Sequence, residues 1–228
     1  LVDDRLPCRP CPGAAGAKLL CSHSTLHNEL WVSIVEKAFL KVHGGYQFAG
    51  SNSGKDLYTL TGWIPEQVHL GVDSDCRSYD HGGKDEGDGR REVETFDYKQ
   101  DKERVWQRMV SAHEFGDCLI TVSTKKSLSV AEQSATGLIP RHAYAVLEVK
   151  QAGTLRMLKI KNPWTSNPWK GRFSSRDRDR WTKGLRKVLR IGDANGSPES
   201  IQTAFDNMER DGIFFIELDD LLQYFNGI

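Results

Sequence analysis

The stretch Arg141-His142-Ala143-Tyr144-Ala145-Val146-Leu147-Glu148-Val149-Lys150-Gln151-Ala152-Gly153-Thr154-Leu155-Arg156-Met157-Leu158-Lys159-Ile160-Lys161-Asn162-Pro163-Trp164 decides the fold. Apolar residues recur with a strand period over 142–149 and again over 155–161, with a turn at Gln151-Ala152-Gly153 between them. That is the pattern of an antiparallel hairpin. With a three-residue loop centred on Ala152, Val149 faces Leu155, Val146 faces Leu158, Tyr144 faces Ile160 and His142 faces Asn162. Directly opposite residues share a face with Cβ atoms about 4.5–5.5 Å apart. The reading therefore sets an imidazole beside a carboxamide at the open end of a sheet. A two-residue loop would shift the register and separate them.

Upstream of the hairpin, 118–123 (CLITVS) reads as a buried strand, with Cys118 a small core residue, and 125–137 as a polar loop. A helix is expected over 101–113, where Trp106, Met109, Val110 and His113 share one face. The polar, glycine-rich segment 71–92 reads as a surface insertion with little to bury. A short helix fits 56–60, and a longer one fits 28–42, capped by Asn28 and stopped by Gly44-Gly45. Its apolar stripe Trp31, Ile34, Val35, Ala38, Phe39 and Val42 is expected to face a core. Residues 1–27 form an irregular lead-in. Downstream, 174–200 is charged and irregular, 213–217 (IFFIE) is a strand, and Asp219-Asp220 open a final helix. Helices first and antiparallel strands afterwards, without a βαβ rhythm, make an α+β fold.

Composition narrows the function classes. The 228 residues carry 31 basic and 31 acidic side chains, so bulk charge gives no ground for nucleic acid or an anionic membrane as partner. No apolar run is long enough for a membrane span, and the opening Leu1-Val2-Asp3-Asp4 lacks an initiator methionine, the mark of a piece of a longer polypeptide. Five cysteines, an odd number, argue against a disulfide framework and for a reducing, cytoplasmic setting.

The pair His142 and Asn162 suits thiol-protease chemistry. The nucleophile there is a thiolate stabilised by an imidazolium, which later protonates the leaving amine. One ring nitrogen must face sulfur, so an acceptor has to hold the other. An asparagine oxygen does this without adding charge. On spacing alone, a merely structural His–Asn pair remains an open alternative.

The surrounding residues carry a resemblance. Arg141-His142-Ala143-Tyr144-Ala145-Val146 and Lys161-Asn162-Pro163-Trp164 are similar to the His and Asn segments of calpains. Val2-Asp3-Asp4-Arg5-Leu6-Pro7 resembles the segment joining the two lobes of the calpain protease core. Asn28-Glu29-Leu30-Trp31 through Glu36-Lys37-Ala38 is similar to the family's NExW…EKA helix. Gly44-Gly45-Tyr46, Leu60-Thr61-Gly62-Trp63 and Asp211-Gly212-Ile213-Phe214 follow in family order. The likeness leans to the PalB-like branch, which lacks a calmodulin-like domain, and the sequence holds no EF-hand loop.

The resemblance implies a papain-like α+β fold of which 28–228 is the second lobe, with 1–27 as the inter-lobe lead-in. It implies an intracellular cysteine endopeptidase performing limited proteolysis, with protein substrates and the upstream lobe as partners. His142 would be the general base and acid, Asn162 its orienting group, and Trp164 a shield against water or simply a core residue. The 125–137 loop would be a flap over the cleft. The family's nucleophile lies in a QGxxGDCW segment that this sequence does not contain; Gly116-Asp117-Cys118 mimics part of it but runs into an apolar strand. The fragment alone is thus expected to be inactive, and an inert calpain-like scaffold or partner-binding module is the alternative.

Calcium regulation is also implied for the full-length protein, yet Pro168, Ser175 and Ile213 stand where acidic ligands belong. Asp211 survives, with Asp177 and Glu209 as substitutes. Cys8, Cys11, Cys21 and His23 invite a zinc reading, but Cys21-x-His23 follows Cys11 after only nine residues and the resemblance gives it no support. No metal site is expected in this chain.

Overall fold

The structure, a computed structural model, describes residues 1–11, 16–24, 26, 28–48, 50–70, 94–96, 98–165, 167–193 and 195–228, with side chains in the third helix from Asp101 onward. The expected insertion at 71–92, with Cys76, lies outside them. The chain forms two compact units, Leu1–Pro65 and Glu66–Ile228. No helix of the described residues is long and apolar enough to cross a membrane.

The first unit holds a hairpin of β1 (Cys8–Pro10) and β2 (Ala17–Leu19), then α1 (Trp31–Val42) and α2 (Ser53–Thr61). Asn52 caps α2 by accepting from the Gly54 N–H at 2.9 Å, and Gly62 at φ 75° ends it. The expected start of α1 is corrected: it begins at Trp31, and no side chain caps it. Its orientation is corrected too. Trp31, Val35 and Val42 are exposed, while Ser33 and Leu40 are buried. Polar anchors on one face account for this. The Ser33 hydroxyl donates to the Ser22 carbonyl at 2.7 Å, and the Lys37 ammonium binds the Asp3 carboxylate and the Arg5 carbonyl. Positions 33, 37 and 40 fall on one helical stripe, so these contacts turn that stripe inward.

The second unit is built on a seven-stranded sheet. Its strands are β3 (Val68–Leu70), β4 (Glu94–Phe96), β5 (Ile120–Thr124), β6 (Ala143–Ala152), β7 (Leu155–Lys161), β8 (Ile213–Glu217) and β9 (Phe225–Gly227), in the order β4-β3-β9-β5-β6-β7-β8. Only β3 and β4 run parallel. Helices α3 (Tyr98–Phe115), α4 (Val130–Thr136), α5 (Lys183–Val188), α6 (Pro198–Arg210) and α7 (Leu218–Tyr224) complete it. The α+β expectation holds.

Alternation along β7 and β8 explains two cores. Leu158, Ile160 and Ile216 face one side with Trp106 and Met109 of α3 and Leu221 of α7. Met157 and Phe215 face the other, with Trp181, Leu185 and Phe205. Both faces of the hairpin end are therefore covered, which is why 155–161 is apolar on both sides of its alternation.

Two further expectations fail. Residues 125–137 are not all loop, since α4 lies within them. Ser129 accepts from the Glu132 N–H while the Glu132 carboxylate accepts from the Ser129 N–H, a capping box legible as Ser-x-x-Glu. Gly137 ends α4 at φ 75°, where an added Cβ would lie 2.0 Å from the Pro168 carbonyl oxygen. Ser129→Ala should lower the unfolding free energy by about 1 kcal/mol. A urea midpoint unchanged from the parent chain would contradict that. The strand expected from Cys118 begins instead at Ile120, and Cys118 is exposed rather than buried. Gly116 at φ 69° brings the chain out of α3 before it joins the sheet, leaving Cys118 and Leu119 outside.

Candidate active site

His142 stands just before β6 and Asn162 just after β7, and the structure brings them together. His142 Nε2 lies 3.0 Å from Asn162 Oδ1. The route differs from the expected one. The connecting turn is the two residues Gly153-Thr154, with Ala152 opposite Leu155 and Val149 opposite Leu158. That register would send His142 and Asn162 to opposite faces. A bulge between Val146 and Glu148 corrects the parity, so that Val146 pairs with Ile160 and Ala145 with Lys161. Continued one residue, the pairing sets Asn162 across from Tyr144 and makes His142 its diagonal neighbour on the same face. The core records the same shift. Tyr144 and Val149 both line it, although strict alternation would separate them.

Asn162 is 3% exposed and firmly held. Its N–H donates to the Gly212 carbonyl at 2.8 Å, and its Oδ1 also accepts from the Trp164 N–H at 2.9 Å. A backbone N–H can only donate, so the atom it meets is the amide oxygen. The ring nitrogen that shares this oxygen must then carry its proton. Nε2–H donates, and the lone pair of the neutral ring sits on Nδ1, which makes no hydrogen bond with the described residues. That is the tautomer a general base needs.

Two rings flank the imidazole. Tyr144 meets it edge-on, with centroids 4.9 Å apart, and Trp164 lies over it at 4.6 Å. Trp164 is 56% exposed. It therefore lies outside the core, with one face of its ring against the imidazole. Burial pushes the Tyr144 phenol pKa up, and its oxygen accepts from the Ile139 N–H at 3.2 Å.

Cys118 has none of a nucleophile's surroundings. Although the residue as a whole is exposed, desolvation of its sulfur by neighbouring atoms, then the adjacent Asp117 carboxylate, push its thiol pKa up. A reactive cysteine needs the reverse.

The carboxylates aligned with calcium ligands are engaged by donors of the protein itself. Asp177 accepts from the Phe173 N–H at 2.9 Å and from Arg180 at 3.0 Å. Glu209 accepts from the Ser175 hydroxyl at 2.5 Å, and Asp211 lies 3.5 Å from Arg210. Among the described residues, no three His, Cys, Asp or Glu side chains gather in one place. This includes Cys8, Cys11, Cys21 and His23.

Sequence reading missed Thr124. Its side chain is fully buried and bonds the backbone at Ile139 and His142. No local signal marks it, because its partners lie 15 and 18 residues away.

A largely antiparallel sheet between helices, with a histidine and an asparagine joined at its end, is the arrangement of a papain-like α+β cysteine protease fold. The calpain family cysteine protease profile matches residues 1–228, and the chain belongs to that family. It is 41% identical to human calpain-7 over its whole length, covering 23% of that protein. It is 32% identical over the same span to the calpain-like protease palB/cpr-8 of Neurospora crassa, covering 19% of it. With palB of Emericella nidulans it shares 37% identity over 164 residues, 72% of this chain and 16% of that protein. The chain thus spans less than a quarter of the length of these relatives.

Proposed function

We propose that this chain is the His/Asn half of a calpain-like cysteine endopeptidase that cleaves proteins at limited sites. The observation that carries the reading is the single amide oxygen of Asn162, shared between the His142 ring and the Trp164 backbone. It leaves Nδ1 as the free base. His142 takes the proton of a cysteine thiol through Nδ1, and the resulting imidazolium stabilises the thiolate. After attack on the peptide carbonyl, the same proton passes to the leaving amine. Asn162 keeps the ring in its tautomer throughout, and Trp164 keeps water from the His–Asn hydrogen bond.

The thiol comes from an upstream lobe, since Cys118 has the wrong environment. The test is to express this chain joined to the polypeptide that precedes it and to assay hydrolysis of unfolded protein and peptides. Hydrolysis that a thiol alkylating agent abolishes is the expected result. A folded fusion without such activity would overturn the proposal and leave an inert scaffold of the same fold.

A further inference from the structure

We propose that Thr124 is a positioning residue whose hydroxyl sets the imidazole of His142. Its consequence for turnover rests on the proteolytic reading above; its geometry does not. The turn that delivers His142 is a difficult one. Pro140 has no N–H to anchor it, and Arg141 adopts φ 55°, a left-handed conformation unfavourable for a residue with a side chain. Such a turn persists only when its surroundings hold it.

Thr124 holds both of its ends. The Thr124 hydroxyl donates to the Ile139 carbonyl at 2.5 Å and accepts from the His142 N–H at 3.0 Å. The Thr124 backbone N–H donates to the His142 carbonyl at 3.1 Å. A second brace comes from the Ile139 N–H to the Tyr144 phenol oxygen at 3.2 Å. His142 is therefore fixed on both sides of its Cα by one residue of β5. Thr124 is 0% exposed and lies between β6 and β9, so no water can replace its hydroxyl. The contacts of the ring with Asn162, Tyr144 and Trp164 fix its plane, and they coincide only when the backbone that carries it is held in place.

Thr124→Val keeps the shape and removes the hydroxyl. The His142 N–H and the Ile139 carbonyl then lose their shared partner, the turn relaxes, and the ring drifts from Asn162. In the fusion described above, kcat should fall by about tenfold to a hundredfold, with KM within about twofold of the parent. Thr124→Ser, which restores the hydroxyl, should recover kcat to within about threefold.

Nitrogen NMR of the same fusion, with its upstream nucleophilic cysteine replaced by alanine, supplies a readout free of activity. The parent and Thr124→Ser should show His142 protonated at Nε2, and Thr124→Val a mixture of tautomers. A folded Thr124→Val that keeps the parent tautomer would overturn the proposal. So would a Thr124→Ser variant as impaired as Thr124→Val. If Thr124→Val does not fold, Thr124→Ala takes its place as the variant without a hydroxyl, and a parental tautomer there would overturn the proposal. Should His142→Ala leave hydrolysis intact, the proteolytic reading falls, while the tautomer comparison still decides the role of Thr124.

Discussion

Replacing His142 by alanine, in the chain joined to its upstream polypeptide, should lower kcat by roughly a thousandfold. Two losses combine. The thiol loses the base that removes its proton, and the leaving amine loses the acid that protonates it. Asn162→Ala should cost less, since the ring remains and only its tautomer and orientation are freed. The order of the two effects is as informative as their size. In a structural pair, removing either partner would disturb folding and leave turnover per folded molecule unchanged. An active His142→Ala enzyme of parental kcat would end the catalytic assignment.

The second large effect concerns stability at Gly212, in the turn between α6 and β8. Gly212 adopts φ 71°, and an added Cβ would lie 2.4 Å from the Asn162 carbonyl oxygen. The neighbouring backbone cannot yield, because the Asn162 N–H bonds the Gly212 carbonyl and Lys161 pairs with Ile213 in the sheet. Gly212→Ala therefore combines a left-handed backbone with a backbone clash, together about 2–4 kcal/mol. Gly153→Ala is the control. Gly153 has φ 64° but nothing within 4 Å of an added Cβ, so only the conformational part, about 1 kcal/mol, should appear. Chemical unfolding of the two variants compares them directly. Equal losses would show that the close approach to Asn162 costs nothing. The displacement in Gly212→Ala also reaches Asn162 itself, so turnover of its folded fraction should fall as well.

Much of the second unit was legible in local sequence. Leu155–Lys161 and Ile213–Glu217 read as strands to the residue, because an apolar alternation bounded by turn residues has few other uses. Other elements had signals that composition masked. The charge-rich run after residue 174 hides α5 and the start of α6, where Thr182 and Ser197 cap helices from within polar sequence. The helix Trp31–Val42 had the right period, but its inward face follows Ser33 and Lys37 beside Leu40, and hydropathy would not select the first two. A hydrogen-bonded serine can be buried as firmly as a leucine, and a hydropathy pattern does not record it.

By itself, the sequence determined the class of fold, the two chemical groups of the candidate site and their placement at the ends of adjacent strands. Those follow from strand period and from residue identity, both of which are local. Tertiary structure decided how the groups meet. A two-residue turn set one register, a bulge before Glu148 reversed its parity, and Thr124 from β5 fixed the backbone of His142. Side-chain direction in a sheet depends on the sum of every register shift along the pairing, and that sum is set by contacts between segments far apart in the chain.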